Sequence, residues 1–365
     1  MVDSVDFTDI RVAEDTIEAV VDVLESGRFV KGPLVERFEN RFAETCGVDH
    51  AVAVSSGTAA ILLALEAAGI GEGDSVFVPG HTFFASASPV LALGATPVFV
   101  DVDPETYTMD PDSLATAVAA ADNPAAVIPV HIYGGMADVD AIDAIASEHD
   151  LFVVEDSCQA HFASRDGATA GTVGDAGAFS FYPSKNMTVG GDGGMAITDD
   201  ADLAETMRML RNHGRGDEGV HRRLGLNYRL DETNAAVGLR QLDRVRDWSE
   251  RRRAAARRYT DRLADVDAVT TPFVPADVEH VFHLYVIQVP DREALADFLA
   301  DRNVDTGVHY PTPAHQHPAI VSRVETPELP VTESLCDRIL SLPMHPRLTD
   351  AEVDYVCSAI EEFYQ

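Results

Sequence analysis

Residues 177–198 read GAFSFYPSKNMTVGGDGGMAIT, and the fold is decided by how this stretch is parsed. An apolar run at 178–181 gives way to a turn opened by Pro183. A passage carrying Gly190, Gly191, Gly193 and Gly194 then leads into a second apolar run at 195–198. Short apolar runs bounded by proline and glycine read as buried strands, so the turn between them stands at the mouth of a sheet. Lys185 sits in that turn. The chain holds 25 arginines and only two lysines, Lys31 and Lys185. Arginine keeps its proton, whereas lysine can lose one, attack a carbonyl and form a Schiff base. A lysine kept where arginine fills nearly every other basic position suggests chemistry, although a lone lysine is ordinarily a surface charge.

Working outward, further apolar runs recur at 51–54, 75–78, 97–100, 126–130 and 151–154, with helix-like or loop segments between most of them. Seven such strands predict an α/β domain built on a mostly parallel sheet. Ligands of such sheets bind at the carboxyl ends of the strands, so the residues just after each run are the informative ones. After the first run, Ser56-Gly57-Thr58-Ala59-Ala60 opens a helix, which reads as an anion site or as an ordinary N-cap. After the second comes Phe83, a stacking ring or a core residue. The fifth run ends in Glu155-Asp156-Ser157-Cys158-Gln159-Ala160-His161. A carboxylate at the end of a buried strand needs a hydrogen-bond partner or a cationic ligand atom. A phosphate cradle, an aromatic face, a carboxylate and an amine on one edge are what pyridoxal phosphate requires.

Composition bounds the rest. The 365 residues suffice for a large core and two domains. Sixty-one acidic against 27 basic residues leave a formal net charge of −34, spread along amphipathic helices such as DSLATAVAAADN rather than gathered in a tail. So negative a surface with lysine nearly absent suggests a salt-rich cytoplasm, where screening limits self-repulsion, and hence a halophilic archaeon as source. Nucleic acid and anionic membrane are poor partners for this field. Cys46, Cys158, Cys336 and Cys357 lie far apart, so neither a disulfide framework nor a zinc ribbon is indicated. The opening MVDSVDFTDI has no apolar core of a signal peptide, and no run is long enough to span a membrane, so a cytoplasmic protein is expected.

These residues together resemble the DegT/DnrJ/EryC1/StrS sugar aminotransferases, fold-type I pyridoxal phosphate enzymes. The likeness covers essentially the whole chain through SSGTAA (55–60), PGHTFFA (79–85), EDSCQA (155–160), FSFYPSKN (179–186), GDGG (191–194), NYRL (227–230) and HYP (309–311). The resemblance implies a seven-stranded sheet with helices on both faces and a smaller α+β C-terminal domain. It implies that Lys185 holds the cofactor and shuttles the proton, that Asp156 partners the pyridine nitrogen, that Phe83 stacks on the ring and that Gln159 lies near its hydroxyl. Gly57, Thr58, Ala59 and Ser180 match the phosphate site. Asn227 matches a residue that reaches a neighbouring subunit's cofactor, implying a homodimer with shared active sites. His309 and Tyr310 border the substrate cleft. The reaction implied is transfer of an amino group from an amino acid, glutamate foremost, to a nucleotide-linked keto-sugar. A pyridoxal-dependent sugar dehydratase would share the fold but is expected to carry His at the lysine position. A regulator without chemistry would have no reason to keep the cofactor residues.

Two departures from the family pattern stand out. Asp192 replaces the usual Glu of the glycine turn, and Phe162 stands where a small residue commonly follows the histidine of QAH. Both are expected to affect loop shape and substrate fit rather than the cofactor set. The domain boundary is expected near 245, dividing 1–245 from 246–365. DRVRDWSERRRAAARRYTDRL reads as one long helix with its arginines exposed, followed by a strand pair near 283–289, a helix at 292–302 and a last helix at 350–363. His315-Gln316-His317 lacks further ligands at metal-site spacing, so no metal is expected.

Overall fold

The computed structural model describes residues 2–216 and 218–365. Its larger lobe is a seven-stranded sheet of β1 (His50–Val54), β2 (Ser75–Pro79), β3 (Thr96–Val100), β4 (Pro124–Val127), β5 (Phe152–Asp156), β6 (Ala176–Ser180) and β7 (Gly194–Thr198). The spatial order is β1-β7-β6-β5-β4-β2-β3, and β7 alone runs antiparallel to both of its neighbours. All seven apolar runs are strands. The fourth is shorter than its run, because Val130 leaves the β2–β4 ladder and bridges Asp156 instead.

Strand residues alternate faces, and the two cores follow that alternation. Val52, Val54, Val76, Val78, Val154 and Ala178 pack on one side with helix α3 (Gly57–Ala67). Ala51, Ala53, Phe179, Met195 and Ile197 face the other, against α2 (Pro33–Cys46). Helix α1 (Glu14–Ser26) precedes α2, and the expected break at Gly32-Pro33 separates them. Three N–H groups at the start of α2, those of Gly32, Leu34 and Val35, donate to the buried carboxylate of Glu232, the first residue of α4 (Glu232–Leu242). Acidic residues cap helices elsewhere as well: Asp110, Asp138, Asp200 and Asp231 each accept N–H bonds from the first turn that follows them.

The second lobe is built on α5 (Val245–Leu263), the antiparallel pair β8 (Tyr285–Gln288) and β9 (Ile339–Leu342), and α6 (Asp350–Tyr364). The strand near 283–289 thus pairs with one about fifty residues later rather than with a sequence neighbour. Val5 belongs to this second core and bridges Val304, so the N-terminal segment joins the lobe assembled from the chain's last third. The arginines of α5 are not all on exposed faces: Arg252 is 5% exposed and donates to the carbonyls of Phe282, His283 and Met344.

Candidate active site

A cavity of about 490 Å³ lies at the carboxyl ends of β5 and β6, between the lobes. Its volume suits a cofactor together with a substrate. Gly57, Thr58, Phe83, Asp156, Gln159, Ser180, Lys185, His309 and Tyr310 all line it. Two expected site residues lie elsewhere. The Ala59 N–H is taken by the Ser56 hydroxyl, which caps α3. Asn227 is exposed and outside the cavity of its own chain; it bridges Asn212 at the base of a loop that carries the exposed Val220, Leu224 and Leu226.

Each wall has a local cause. At the start of α3 the N–H groups of Gly57 and Thr58 donate to nothing among the described residues, while Ala60 closes the first turn onto Ser56. They lie at the positive end of the helix. A Cβ on Gly57 would come within 2.5 Å of Cys158 Sγ and 2.8 Å of Ser180 Cβ, so only glycine fits between the ends of β5 and β6.

Asp156 is buried and held on both oxygens. Its Oδ2 accepts the Ser86 hydroxyl at 2.7 Å and its Oδ1 the Cys158 N–H at 3.1 Å. Ser86 has given away its one proton, so it accepts from Thr82 at 2.8 Å. The neighbouring Glu155 points away from the cavity, to His131 and the N–H groups of Gly171, Val173 and Gly174, and fixes the loop that supports β5 and β6. The Ala137 N–H occupies His131 Nδ1, so His131 donates from Nε2.

Lys185 hangs from the turn after β6, its N–H bonded to the Tyr182 carbonyl. Burial lowers its pKa, and the Cys158 sulfur and the Asp156 carboxylate oppose that shift. Gln159 carries the contact between lobes: its Oε1 accepts the Tyr133 N–H at 2.7 Å, and its Nε2 donates to Tyr310 Oη at 3.0 Å. Tyr133 in turn accepts a proton from His81 Nε2 at 2.6 Å and donates to the His309 carbonyl. His309 packs on Phe7 with ring centroids 5.6 Å apart, and its Nδ1 meets Ser341 Oγ at 2.9 Å. Burial, with help from the Lys185 charge, pushes the His309 pKa down to about 4, so its ring is neutral at pH 7. Phe83 lies over the cavity mouth, its ring 5.6 Å from that of Tyr310.

Ser86, Thr82, Tyr133, Phe7, Cys158 and His283 also serve the site without having been singled out as its residues from sequence. Cys158 stood in plain view beside Asp156, but Ser86 is brought to Asp156 only by the short turn at Phe84–Ser86. Asp192, expected to affect loop shape and substrate fit, lines the cavity. Phe162 adopts φ +60°, the left-handed region that a small residue enters at less cost, and packs on Phe42.

The model of the DegT/DnrJ/EryC1/StrS aminotransferase family matches residues 11–361. A "Pleiotropic regulatory protein" of Geobacillus stearothermophilus is 42% identical over 94% of this chain and 93% of its own. The dTDP-3-amino-3,4,6-trideoxy-alpha-D-glucose transaminase of Streptomyces venezuelae is 42% identical over 98% of this chain and 96% of its own. Among solved structures, that of S. venezuelae DesV in complex with a ketimine intermediate superposes with a TM-score of 0.96 at 41% identity, covering 100% of this chain and 99% of that one.

Proposed function

The chain belongs to the DegT/DnrJ/EryC1/StrS aminotransferase family, and from that premise we propose that it moves an amino group from an amino acid, glutamate foremost, to a keto-sugar carried on a nucleotide. It is a pyridoxal-phosphate-dependent sugar aminotransferase. The observation that carries the reading is Lys185 and Asp156 in the walls of one inter-lobe cavity, with Gly57 and Thr58 offering unpaired N–H groups to it. The product named for the S. venezuelae relative bears its amine at C3, and we extend that carbon to the acceptor of this chain.

Pyridoxal phosphate, when bound, supplies a carbonyl carbon for amines and a ring that takes up the charge left as an α-proton departs. The residues fit it, because the cradle at Gly57 is one that any side chain would fill and its N–H groups are unpaired. Gly57, Thr58 and Ser180 would hold the phosphate, Asp156 would keep the ring nitrogen protonated, Phe83 would cover the ring, and Gln159 would stand beside its hydroxyl. Lys185 is both anchor and base. With its pKa lowered by burial, a larger share of its amine is unprotonated near neutrality and able to take the α-proton of the donor. The same Nζ works in reverse when the sugar receives the nitrogen. His309 and Tyr310, fixed through Tyr133 and Gln159, are the proposed substrate contacts.

The proposal includes a homodimer in which Asn227 serves the second copy's cavity. Its support is the position of Asn227 outside its own cavity, beside exposed Val220, Leu224 and Leu226. Among the described residues no helix is long and apolar enough to cross a membrane. We further read the acidic surface as that of a cytoplasmic protein from a halophile, stabilised by molar salt, and the lobes as domains meeting near residue 245.

The visible spectrum in molar KCl, before and after adding glutamate without sugar, tests the function. A yellow protein that converts to the pyridoxamine form on adding glutamate carries both cofactor and donor. Lys185→Arg should keep the charge and lose turnover; a variant still active would refute the role of this amine. A colourless protein, even with added pyridoxal phosphate, would favour a regulator, the activity named for the Geobacillus relative.

A further inference from the structure

Behind Lys185, on the side away from the cofactor cavity, lies a second and smaller one of about 50 Å³. The two share Thr8, Ser184 and Lys185 as a common wall. Three chain segments meet there: the N-terminal stretch at 8–11, the turn carrying Lys185, and residues 345–347 of the second lobe, with α5 closing the back.

The back wall holds Arg252. Its guanidinium gives all its hydrogen bonds through Nη1, to three carbonyls, and its fully enclosed Nε has no partner among the described residues. Among the described residues no carboxylate pairs with it, and burial alone lowers its pKa to about 10. His345, 6% exposed, lines the same cavity; its ring makes no hydrogen bond among the described residues, and its Nδ1 is fully enclosed. The one carboxylate in the wall, Asp9, is already engaged by Arg11 at 2.9 Å and Arg347 at 3.8 Å. A buried cation without a counter-ion is costly in any protein. It is more conspicuous in one carrying 61 acidic residues, of which none among those described fills the place.

We propose that this cavity binds one small inorganic anion of chloride size, held by Arg252 and an N–H of His345. The volume exceeds that of a single water and is too small for an amino-acid substrate. An anion there neutralises the guanidinium and joins the N-terminal segment, the Lys185 turn and the second lobe through one ligand. Occupancy would therefore tie the backbone behind the catalytic amine to the halide concentration around the protein, apart from any screening of the acidic surface.

The sole tryptophan, Trp248, lines the cavity and reports on it. The holoenzyme is titrated with potassium bromide and with potassium iodide at constant ionic strength, and Trp248 fluorescence is followed. The expected result is a saturable change that weakens about tenfold in His345→Leu and disappears in Arg252→Met. Should Arg252→Met fail to fold, since its side chain ties three carbonyls, His345→Leu and a crystal of the unaltered protein soaked in bromide decide the matter. An anomalous bromine peak beside Arg252 is expected. Strictly linear quenching with no saturation, a response unchanged in His345→Leu, or a soaked crystal with no bromine at Arg252 would each overturn the proposal.

Discussion

Ser86 donates its hydroxyl proton to Asp156 at 2.7 Å, and Thr82 donates in turn to Ser86 at 2.8 Å. The carboxylate expected to meet the cofactor's ring nitrogen is thus oriented by a residue seventy positions earlier in the chain. Hydrogen bonds to charged groups contribute about 1.5–3 kcal/mol each. Ser86→Ala should therefore weaken pyridoxal phosphate binding and lower kcat by about tenfold or more, with the fold intact, as read by absorbance titration and steady-state rates. Ser86→Thr, which keeps the donor, should recover much of the loss; equal damage from both would deny Ser86 its orienting role.

The space at Gly57 gives a second test. Gly57→Ala brings a methyl group to 2.5 Å from Cys158 Sγ and 2.8 Å from Ser180 Cβ, displacing one strand end or the helix start. Cofactor affinity should fall by about a hundredfold, or about 2.7 kcal/mol. Adding Cys158→Ala removes the nearer clash and leaves the other, so the double variant should recover part of the affinity but not all of it. Full recovery, or none, would place the constraint elsewhere.

Desolvated histidines should contribute to the acid limit of stability. Burial holds His81 and His309 near pKa 4, and His161 and His280 near 3, against an ordinary value of 6.5. These folded-state values lie below the unfolded one, so the unfolded chain binds more protons as pH falls. Stability is then fully present above pH 6.5 and is lost as pH drops from 6.5 toward 4. Each such histidine removes about 1 kcal/mol between pH 7.5 and 5.5. Urea midpoints at those two values, in constant molar KCl, should fall by an amount that shrinks in His81→Phe. A midpoint independent of pH across this window would contradict it.

A shared site predicts complementation. Lys185→Arg and Asn227→Ala should each be inactive as pure dimers. Unfolded together and refolded as a mixture, half of the molecules are heterodimers, and each of these holds one site with both Lys185 and a partner copy's Asn227. Activity should return to about a quarter of the unaltered level. No recovery would confine Asn227 to its own chain, or to no role at all.

Much of this was legible because it is local. The seven strands are continuous apolar runs, and several of the residues just after them line the cavity. Lys185, Asp156 and Gly57 could be placed on one edge for that reason. What the sequence hid depends on contacts between distant segments. Arg252 looks like any arginine of a charged helix until Phe282, His283 and Met344 turn their carbonyls toward it. β8 finds its partner in β9 across three intervening helices, which no turn signal announces. Asp192 reaches the cavity wall through a glycine-rich loop whose path residue type alone does not determine.

The pairing of Val5 with Val304 bears on how the molecule is made. The Val5 N–H donates to the Asn303 carbonyl, and the Asp305 N–H donates to Val5. Val5 therefore has no strand partner until about three hundred further residues have been made. The seven-stranded sheet is complete by residue 198 and can consolidate while synthesis continues. The segment around Val5 must wait, unattached, and the closing of the second lobe beside Lys185 waits with it.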